Sequence, residues 1–354
     1  MTLFAYVGCR TTRARNARGD GINVYRADAA TGTLTHVQLV GDLLNPSFLA
    51  IDRGGRTLYT VHGDAREVSA FRIDAAGGTL APLNRQSTEG LNPVHLALDP
   101  SGRWMVIANH LTSTLALLPV RPDGALDAVA DLVTLEGEPG PHRVEQPFAK
   151  PHQVVFDPSG QAILVPDKGV DRIFAYRLDP SGRLRPAASP WCAARSGAGP
   201  RHLAFSTDGR FAYVLNELDS TVMACRWNAA SGELAPFQIL PALPDDFTGE
   251  SRAAEIELSR DGRFVHASNR GHDSIATFAA DPVTGRLRAV GWTPSGGRTP
   301  RFFTRSPDGR FLYVANEDAD TIRLFAIDPD SGLPAATDHV VSTGSPVCLV
   351  FRTV

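Results

Sequence analysis

Cysteines and long apolar runs are both scarce in this chain. Its 354 residues contain four cysteines, and none of them forms a C-x-x-C pair, so the spacing favours neither a zinc site nor a redox motif. We expect Cys9, Cys192, Cys225 and Cys348 to be reduced and mostly buried as small apolar side chains. No stretch approaches the roughly 20 apolar residues that a membrane-spanning helix needs.

A large net charge is also absent. The 35 Lys and Arg residues against 38 Asp and Glu give a formal net charge of −3, which provides no strong field for nucleic acid or for an acidic membrane surface. The first residues, MTLFAYVGCRTT, have neither a basic nor a long apolar region and are typical of a strand rather than a signal peptide. The sequence therefore predicts a cytoplasmic protein without a nucleic-acid or membrane partner.

Turn signals, in contrast, are abundant, and residues 199–234 show the pattern in its clearest form. Three short apolar runs at 203–205, 211–215 and 221–227 are separated by a Thr-Asp-Gly turn ending at Gly209, and an Ala-Ser-Gly turn ending at Gly232 follows them. The runs are rich in aromatic and β-branched residues, which favour strands, and glycine supplies the positive φ that tight turns require.

This unit recurs along the chain. The hairpin turn has six copies, whose glycines are Gly55, Gly102, Gly160, Gly209, Gly262 and Gly309. The second turn, of the form D-x-x-S/T-G-x-L, has seven copies, whose glycines are Gly32, Gly78, Gly124, Gly182, Gly232, Gly285 and Gly332. The missing seventh hairpin is split between the chain ends, since residues 345–351 resemble its first strand and residues 3–7 its second.

A ring closed by its own termini explains this split, whereas an open solenoid does not. The second-turn glycines recur at intervals of 46 to 58 residues. A repeat of this length with four short strands is typical of propeller blades, and a β-sandwich would not require near-identical turns. The sequence predicts an all-β, seven-bladed β-propeller of four-stranded blades, forming a single domain over residues 1–354. Cys9 and Cys348 would both lie in the closing blade.

Charged and imidazole side chains gather where the blades begin. In a propeller, the start of each inner strand and the end of the next strand lie at the same mouth of the central channel, so we expect six polar residues to converge there: His152, Arg201, Glu217, Arg252, Arg270 and Arg301. Arginine offers fixed donors for carboxylate, phosphate or a developing oxyanion. The alternative is that these arginines pair with neighbouring carboxylates and join adjacent blades.

Other segments are predicted at the same mouth. His62, His95 and His110 occupy equivalent hairpin ends, and the arginine-rich loop at 10–18 is either a solvated loop or an anion-collecting rim. Extra chain between residues 126 and 150 enters just before Pro151 and His152, and we expect it to form a lid or pocket wall. A second insertion, 241–251, delivers Arg252 to this rim.

Four segments identify a family resemblance. KPHQVVFDPSG, GPRHLAFSTDGRFAYVLNELDSTV, FTGESRAAEI and ASNRGHDSIATF resemble the bacterial β-propeller 6-phosphogluconolactonase family, a group that also takes in fungal 3-carboxy-cis,cis-muconate lactonising enzymes. The likeness covers essentially the whole chain. It implies a metal-independent enzyme, without a cofactor, that acts on a small anionic lactone. The conserved histidine, two arginines and glutamate of the family match His152, Arg201, Arg270 and Glu217.

The roles follow from what lactone opening requires: a base for water, donors for the oxyanion, and a proton for the leaving alkoxide. We assign His152 as the base, while Glu217 either shares in proton transfer or fixes Arg201, and exchanging the roles of His152 and Glu217 remains consistent with the sequence. Arg201 and Arg270 would contact the oxyanion or an anionic group. The distal part of the substrate would be bound by Arg252 and Arg301, with His202, His110 and His95 as further substrate-binding residues.

Several functions share these requirements. The leading hypothesis is hydrolysis of 6-phosphogluconolactone, a step of the pentose phosphate pathway, by a monomer or weak homodimer. The alternatives are a carboxymuconate cycloisomerase, a hydrolase of unphosphorylated aldonolactones or aldarolactones, and a non-catalytic propeller that binds a protein. The last would present apolar side chains at the mouth. Nucleophilic catalysis is disfavoured because the sequence has no G-x-S-x-G elbow and no cysteine at a blade mouth.

Overall fold

The computed structural model describes residues 3–353, which form seven four-stranded antiparallel sheets. The first three blades contain β1 (Leu3–Cys9), β2 (Ile22–Ala27), β3 (Leu34–Val40), β4 (Pro46–Ile51), β5 (Thr57–His62), β6 (Glu67–Ile73), β7 (Leu80–Ser87), β8 (Pro93–Leu98), β9 (Trp104–Asn109), β10 (Thr114–Pro119) and β11 (Asp131–Thr134). The described part of the chain has two helical segments, the 3-10 turns Arg13–Arg15 and Glu317–Ala319.

The remaining blades follow the same order. They contain β12 (Val155–Phe156), β13 (Ile163–Asp167), β14 (Arg172–Leu178), β15 (Leu184–Ala193), β16 (Pro200–Phe205), β17 (Phe211–Asn216), β18 (Thr221–Asn228), β19 (Glu233–Pro241), β20 (Arg252–Leu258), β21 (Phe264–Arg270), β22 (Ser274–Ala280), β23 (Leu287–Pro294), β24 (Pro300–Arg305), β25 (Phe311–Asn316), β26 (Thr321–Ile327), β27 (Pro334–Ser342) and β28 (Pro346–Thr353). Among residues 3–353, no helix has the length and apolar character to span a membrane.

The two ends of the chain close the ring in blade 1. Strand β28 pairs antiparallel with β1, so that Val350 lies opposite Tyr6 and Cys348 opposite Gly8. This pairing confirms the split hairpin predicted from the unequal numbers of turn glycines. Cys9 and Cys348 do share this blade, and both are free thiols.

Buried tyrosines link three of the blades to a neighbouring blade. The hydroxyls of Tyr6, Tyr59 and Tyr313 donate to the carbonyl oxygens of Gly78, Gly124 and Gly32, at 2.8, 2.9 and 2.7 Å, in the second turn of an adjacent blade. At Gly78, with φ of 71°, a Cβ atom would lie 2.4 Å from the Phe4 ring. Glycine is therefore needed there both for its backbone conformation and for the close approach of the neighbouring blade.

The register at the blade entries differs from simple hairpin pairing. In blade 5 Pro200 pairs with Asn216, but His202 pairs with Leu215, so that Arg201 is an extra residue in a β-bulge. The spacing of an ideal hairpin around the turn at Gly209 would predict Arg201 and His202 opposite Asn216 and Glu217, and this shift shows that prediction to be wrong. Bulges twist a strand and re-aim a side chain, and blades 2, 3 and 7 have the same irregularity two residues into the blade.

Blade 4 also begins later than expected. His152 does not open its inner strand, because β12 contains only Val155 and Phe156. The backbone N–H of His152 donates to Pro166 O at 3.0 Å, and that of Val154 donates to the His95 ring at 3.4 Å. Residues 152–154 thus form separate contacts rather than a continuous ladder, which leaves the His152 ring in the space between blades.

Candidate active site

Glu217 lies at the centre of a buried ion-pair network at one mouth of the channel. It follows β17, and its carboxylate is 3.1 Å from Arg201 Nε, 3.3 Å from Arg270 Nη2 and 3.2 Å from Lys168 Nζ. Arg252 Nη1 lies at 3.8 Å. These side chains come from blades 4, 5 and 6. The structure therefore brings four of the predicted site residues, Glu217, Arg201, Arg270 and Arg252, into one cluster with Lys168.

The insertion at 136–150 forms part of the same mouth. Glu145 pairs with Lys168 Nζ at 2.9 Å and with Arg252 Nη1 at 2.7 Å. The segment is fixed by the buried Gln146, whose Nε2 donates to Lys168 O and to Asp171 Oδ1, both at 2.8 Å. The predicted pocket wall is thus anchored to blade 4 and tied electrostatically to blade 6.

A second ion-pair network completes the rim on the side of blades 1 and 7. Glu317 pairs with Arg10 Nε at 2.8 Å and with Arg301 Nε at 3.8 Å. Arg10 is almost fully buried, whereas Arg15 and Arg18, from the same loop, pair with Asp64 and Asp320. Arg10 thus lies at the rim, whereas the partly exposed Arg15 and Arg18 bind carboxylates of adjacent blades.

Four histidines pack against one another near these ions. His152 Nδ1 lies 3.2 Å from His202 Nε2, and the His110 and His95 rings stand edge-on to His152 and His202, with centroids 5.3 and 5.6 Å away. His110 Nδ1 lies 3.1 Å from Pro151 O. His62 does not join this group, because its ring contacts Leu44 O and Ser69 Oγ.

His152 and Glu217 do not hydrogen-bond to each other, among the contacts formed within residues 3–353. Arg201 connects the two groups, since it pairs with Glu217 and its charge also acts on the His152 ring. His202 has both ring nitrogens engaged, one by His152 and the other by Glu255 at 2.8 Å. Its geometry therefore favours a role in orienting His152.

Comparisons with known proteins agree with this architecture. The sequence model described as "Lactonase, 7-bladed beta-propeller" matches residues 4–351. A 6-phosphogluconolactonase of Bacillus subtilis is 34% identical over 311 residues, covering 87% of this chain and 86% of that protein. The chain belongs to the seven-bladed β-propeller lactonase family.

Two solved structures are similar over almost their whole length. A periplasmic gluconolactonase of Pseudomonas aeruginosa has a TM-score of 0.92 and 35% identity, with 100% of both chains covered. A putative 6-phosphogluconolactonase of Bacteroides fragilis has a TM-score of 0.92 and 32% identity, covering 99% of this chain and 98% of that one. The present lactonase is accordingly a carboxylic ester hydrolase that opens lactones.

The surroundings of the lactonase site leave its histidine neutral and its glutamate ionised. Burial, and then the nearby Arg201 charge, lower the pKa of His152 well below its ordinary value, so the ring is neutral near pH 7. Burial alone would raise the pKa of Glu217, but the Lys168, Arg270 and Arg201 cations outweigh it and hold the pKa well below its usual range. Glu217 is therefore ionised and already saturated with cations.

The sequence assigned no role to Lys168 or Glu255, and it included Arg10 only as part of the loop at 10–18. Lys168 was visible only as a charge near a blade end, and its partners Glu145 and Glu217 lie in the insertion and in blade 5. Glu255 lies in the inner strand β20, within a bulge between Ala253 and Ile256. A signal existed for Glu255, since the run AAEIEL places a carboxyl where an apolar residue is expected in an inner strand.

Proposed function

We propose that this lactonase hydrolyses a sugar-acid lactone that carries a separate anionic group, and that 6-phosphogluconolactone is its substrate. The supporting observation is the balance of charge at the mouth. The two ion-pair networks together contain three carboxylates, Glu145, Glu217 and Glu317, but six cations, Lys168, Arg10, Arg201, Arg252, Arg270 and Arg301. This excess of positive charge suits a phosphate dianion together with a developing oxyanion.

In the proposed reaction His152 is the general base. A neutral imidazole accepts a proton from water as the water oxygen bonds to the lactone carbonyl carbon. Arg201 and Arg270 stabilise the tetrahedral oxyanion. The C–O bond of the lactone ring then breaks, and the leaving alkoxide takes the proton from His152. The imidazole of His152 is thereby neutral again. No metal or cofactor takes part.

Glu217 is proposed as an anchor rather than a proton carrier. Three cations, Lys168, Arg201 and Arg270, already engage the Glu217 carboxylate, and its lowered pKa leaves it no proton to donate near pH 7. Its contacts with Arg201 and Arg270 instead fix the direction of both guanidinium groups before substrate binds. This preorganisation is what an oxyanion site needs. Arg252 and Arg301 would bind the distal phosphate.

An unphosphorylated gluconolactone is the second candidate substrate. The supporting observation is the likeness to the periplasmic gluconolactonase of Pseudomonas aeruginosa, which is 35% identical to this chain. For the present enzyme we propose a cytoplasmic location and a place in the pentose phosphate pathway. Both proposals depend on the phosphorylated substrate, because a phosphorylated sugar lactone is retained inside cells. Its proposed form is a monomer or weak homodimer.

The deciding experiment compares freshly prepared 6-phosphogluconolactone, gluconolactone and carboxymuconate under identical conditions. Product formation is followed after subtraction of the spontaneous rate, with His152→Asn as the matched inactive variant. We expect kcat/KM for 6-phosphogluconolactone to exceed that for gluconolactone by at least about 10-fold, corresponding to about 1.4 kcal/mol of phosphate binding. Equal values would rule out the phosphorylated substrate, and full activity of His152→Asn would rule out the base.

A further inference from the structure

A chain of hydrogen bonds beneath His152 is not used by the mechanism above. Glu255 Oε1 accepts from the backbone N–H of Ile256 at 3.0 Å and lies 2.8 Å from His202 Nδ1. His202 Nε2 then lies 3.2 Å from His152 Nδ1. All three side chains are at most 6% exposed, so water does not compete for these contacts.

The backbone amide of Ile256 sets the donor and acceptor roles along this series of hydrogen bonds. A backbone N–H can only donate, so Glu255 Oε1 accepts from it. Oε1 already has two contacts, whereas Oε2 forms no hydrogen bond with the described residues, so we place an acid proton of this carboxyl on Oε2. Because Oε1 is an acceptor in both charge states of Glu255, His202 carries its proton on Nδ1. His202 Nε2 is then an acceptor, and it requires the proton of His152 to be on Nδ1. His152 Nε2 keeps its lone pair.

We propose that Glu255 and His202 are positioning residues that hold His152 in the tautomer whose Nε2 is unprotonated. The proposal rests on His152 as the base of the proposed function, and it explains how a buried imidazole presents a lone pair rather than an N–H to water. Among residues 3–353, no side chain or backbone group hydrogen-bonds to His152 Nε2. A carboxylate that fixes a catalytic histidine through its distal nitrogen acts in the same way in hydrolytic triads.

The charged surroundings favour neutral rings along this chain. The titratable groups that face Glu255, His202 or His152 are Arg201, Arg301, Arg270, Glu217, Glu257, His95, His110 and Cys348. Burial, followed by the Arg201 and Arg301 charges, lowers the pKa of His202 well below its ordinary value. A neutral His202 has one proton, and the contact with Glu255 determines which nitrogen carries it.

The direct test is the tautomer of His152, read from ¹⁵N chemical shifts and two-bond ¹H–¹⁵N couplings of the full chain labelled at histidine. His152→Asn and His202→Asn provide the assignments. We expect Nδ1 of His152 to be protonated in the natural chain and in Glu255→Gln, whose amide oxygen can replace Oε1 as the acceptor. In Glu255→Leu, which leaves His202 Nδ1 without an acceptor, the proton of His152 should move to Nε2.

Kinetics provide the second readout. Glu255→Leu should lower kcat about 100-fold with KM nearly unchanged, the scale of lost general-base catalysis, while Glu255→Gln should keep kcat within about 3-fold. Glu257→Gln is the matched control, because it lies two residues along the same strand and contacts the Arg305 backbone instead. It should leave the tautomer and kcat unchanged.

The outcomes separate this proposal from the proposed function. A proton on Nε2 of His152 in the natural chain, or an unchanged tautomer in Glu255→Leu, would overturn the positioning role even if lactone hydrolysis is confirmed. An equal loss of kcat in Glu255→Gln and Glu255→Leu would also overturn it. If instead His152→Asn remains fully active, the base assignment fails, and the ¹⁵N measurement still decides whether Glu255 sets the tautomer.

Discussion

Arg201 Nε and Glu217 Oε2 lie 3.1 Å apart, with both side chains about 5% exposed. The pair joins the bulge at the start of β16 to the end of β17 within blade 5. It brings the arginine next to the His152 ring and fixes the carboxylate among cations from blades 4 and 6. This relationship means that substitutions at Glu217 should affect both the stability of the ring and its activity.

The first prediction concerns Glu217→Gln. Removing the negative charge leaves Lys168, Arg201 and Arg270 close together without their shared partner, and breaking a buried ion pair in this way costs roughly 3 kcal/mol of unfolding free energy. The kcat value should also fall about 100-fold, because Arg201 loses its orientation. Urea unfolding and steady-state kinetics measure the two effects.

Glu67→Gln is the control for this change. Glu67 pairs with Arg85 at 3.1 Å on the surface, with both side chains more than 40% exposed, and exposed pairs contribute little. Its substitution should change the unfolding free energy by less than about 0.5 kcal/mol. Equal effects of the two variants would show that Glu217 is no more important than a surface carboxylate.

The second prediction is that, in a plot of kcat against pH, the midpoint of the acid limb lies below pH 6.5. A base must be unprotonated to act, and burial and the Arg201 charge lower the pKa of His152. His152 therefore becomes protonated, and inactive as a base, at a lower pH than an ordinary histidine would. Arg201→Gln removes the neighbouring charge, so the pKa of His152 should rise and the limb should move to higher pH.

The matched control for the pH measurement is Arg263→Gln, an exposed arginine that pairs with Asp261. It should leave the midpoint of the acid limb in place, because its charge is screened by water. A midpoint at or above pH 6.5 in the natural chain would contradict His152 as the base, as would an unchanged midpoint in Arg201→Gln.

The repeat in the sequence was sufficient to predict the blades. Turn glycines need a positive φ whatever surrounds them, and all thirteen of those counted have it, including Gly209 at 69° and Gly232 at 76°. The excess of one turn type over the other also predicted how β1 and β28 meet, since strand pairing follows from local pattern and turn geometry.

The site was predicted less completely, because its contacts depend on packing between blades. The spacing placed His152, Arg201 and Glu217 at one mouth, but it did not reveal the bulge that re-aims Arg201, since no turn residue marks it. Glu255 also escaped notice. Its importance arises from contact with His202, 53 residues away, and a pattern within one strand contains no information on that partner.

The third prediction tests closure of the ring through Tyr313→Phe. The Tyr313 hydroxyl donates to Gly32 O at 2.7 Å and links blade 7 to blade 1, so its loss should lower the unfolding free energy by about 1 kcal/mol. Tyr213 occupies the equivalent position in blade 5, where its hydroxyl forms no hydrogen bond with the described residues. Tyr213→Phe should change the unfolding free energy by less than half as much, and equal losses would contradict the role of the inter-blade bond.

The fourth prediction concerns substrate charge and Glu145. Burial opposes ionisation of this carboxyl, but Lys168 and Arg252 outweigh it and lower its pKa to about 2, so Glu145 is ionised at any ordinary assay pH. The negative charge of Glu145 pairs with two cations, Lys168 and Arg252, that would otherwise be available to the proposed substrate phosphate. Glu145→Gln should therefore lower KM for 6-phosphogluconolactone about 3- to 10-fold, the size expected for one charge a few ångströms away in a partly screened site.

Arg252→Gln removes a cation and should therefore raise KM for 6-phosphogluconolactone, the opposite of the change in Glu145→Gln. KM for unphosphorylated gluconolactone should change less than about 2-fold in both variants. Glu138→Gln is the matched control, since Glu138 is an exposed residue of the same insertion and forms no ion pair with the described residues. Parallel changes in KM for both lactones would mean that Glu145 acts by holding the wall in place. Opposite changes for Glu145→Gln and Arg252→Gln, confined to the phosphorylated lactone, can only come from the charge that the substrate carries.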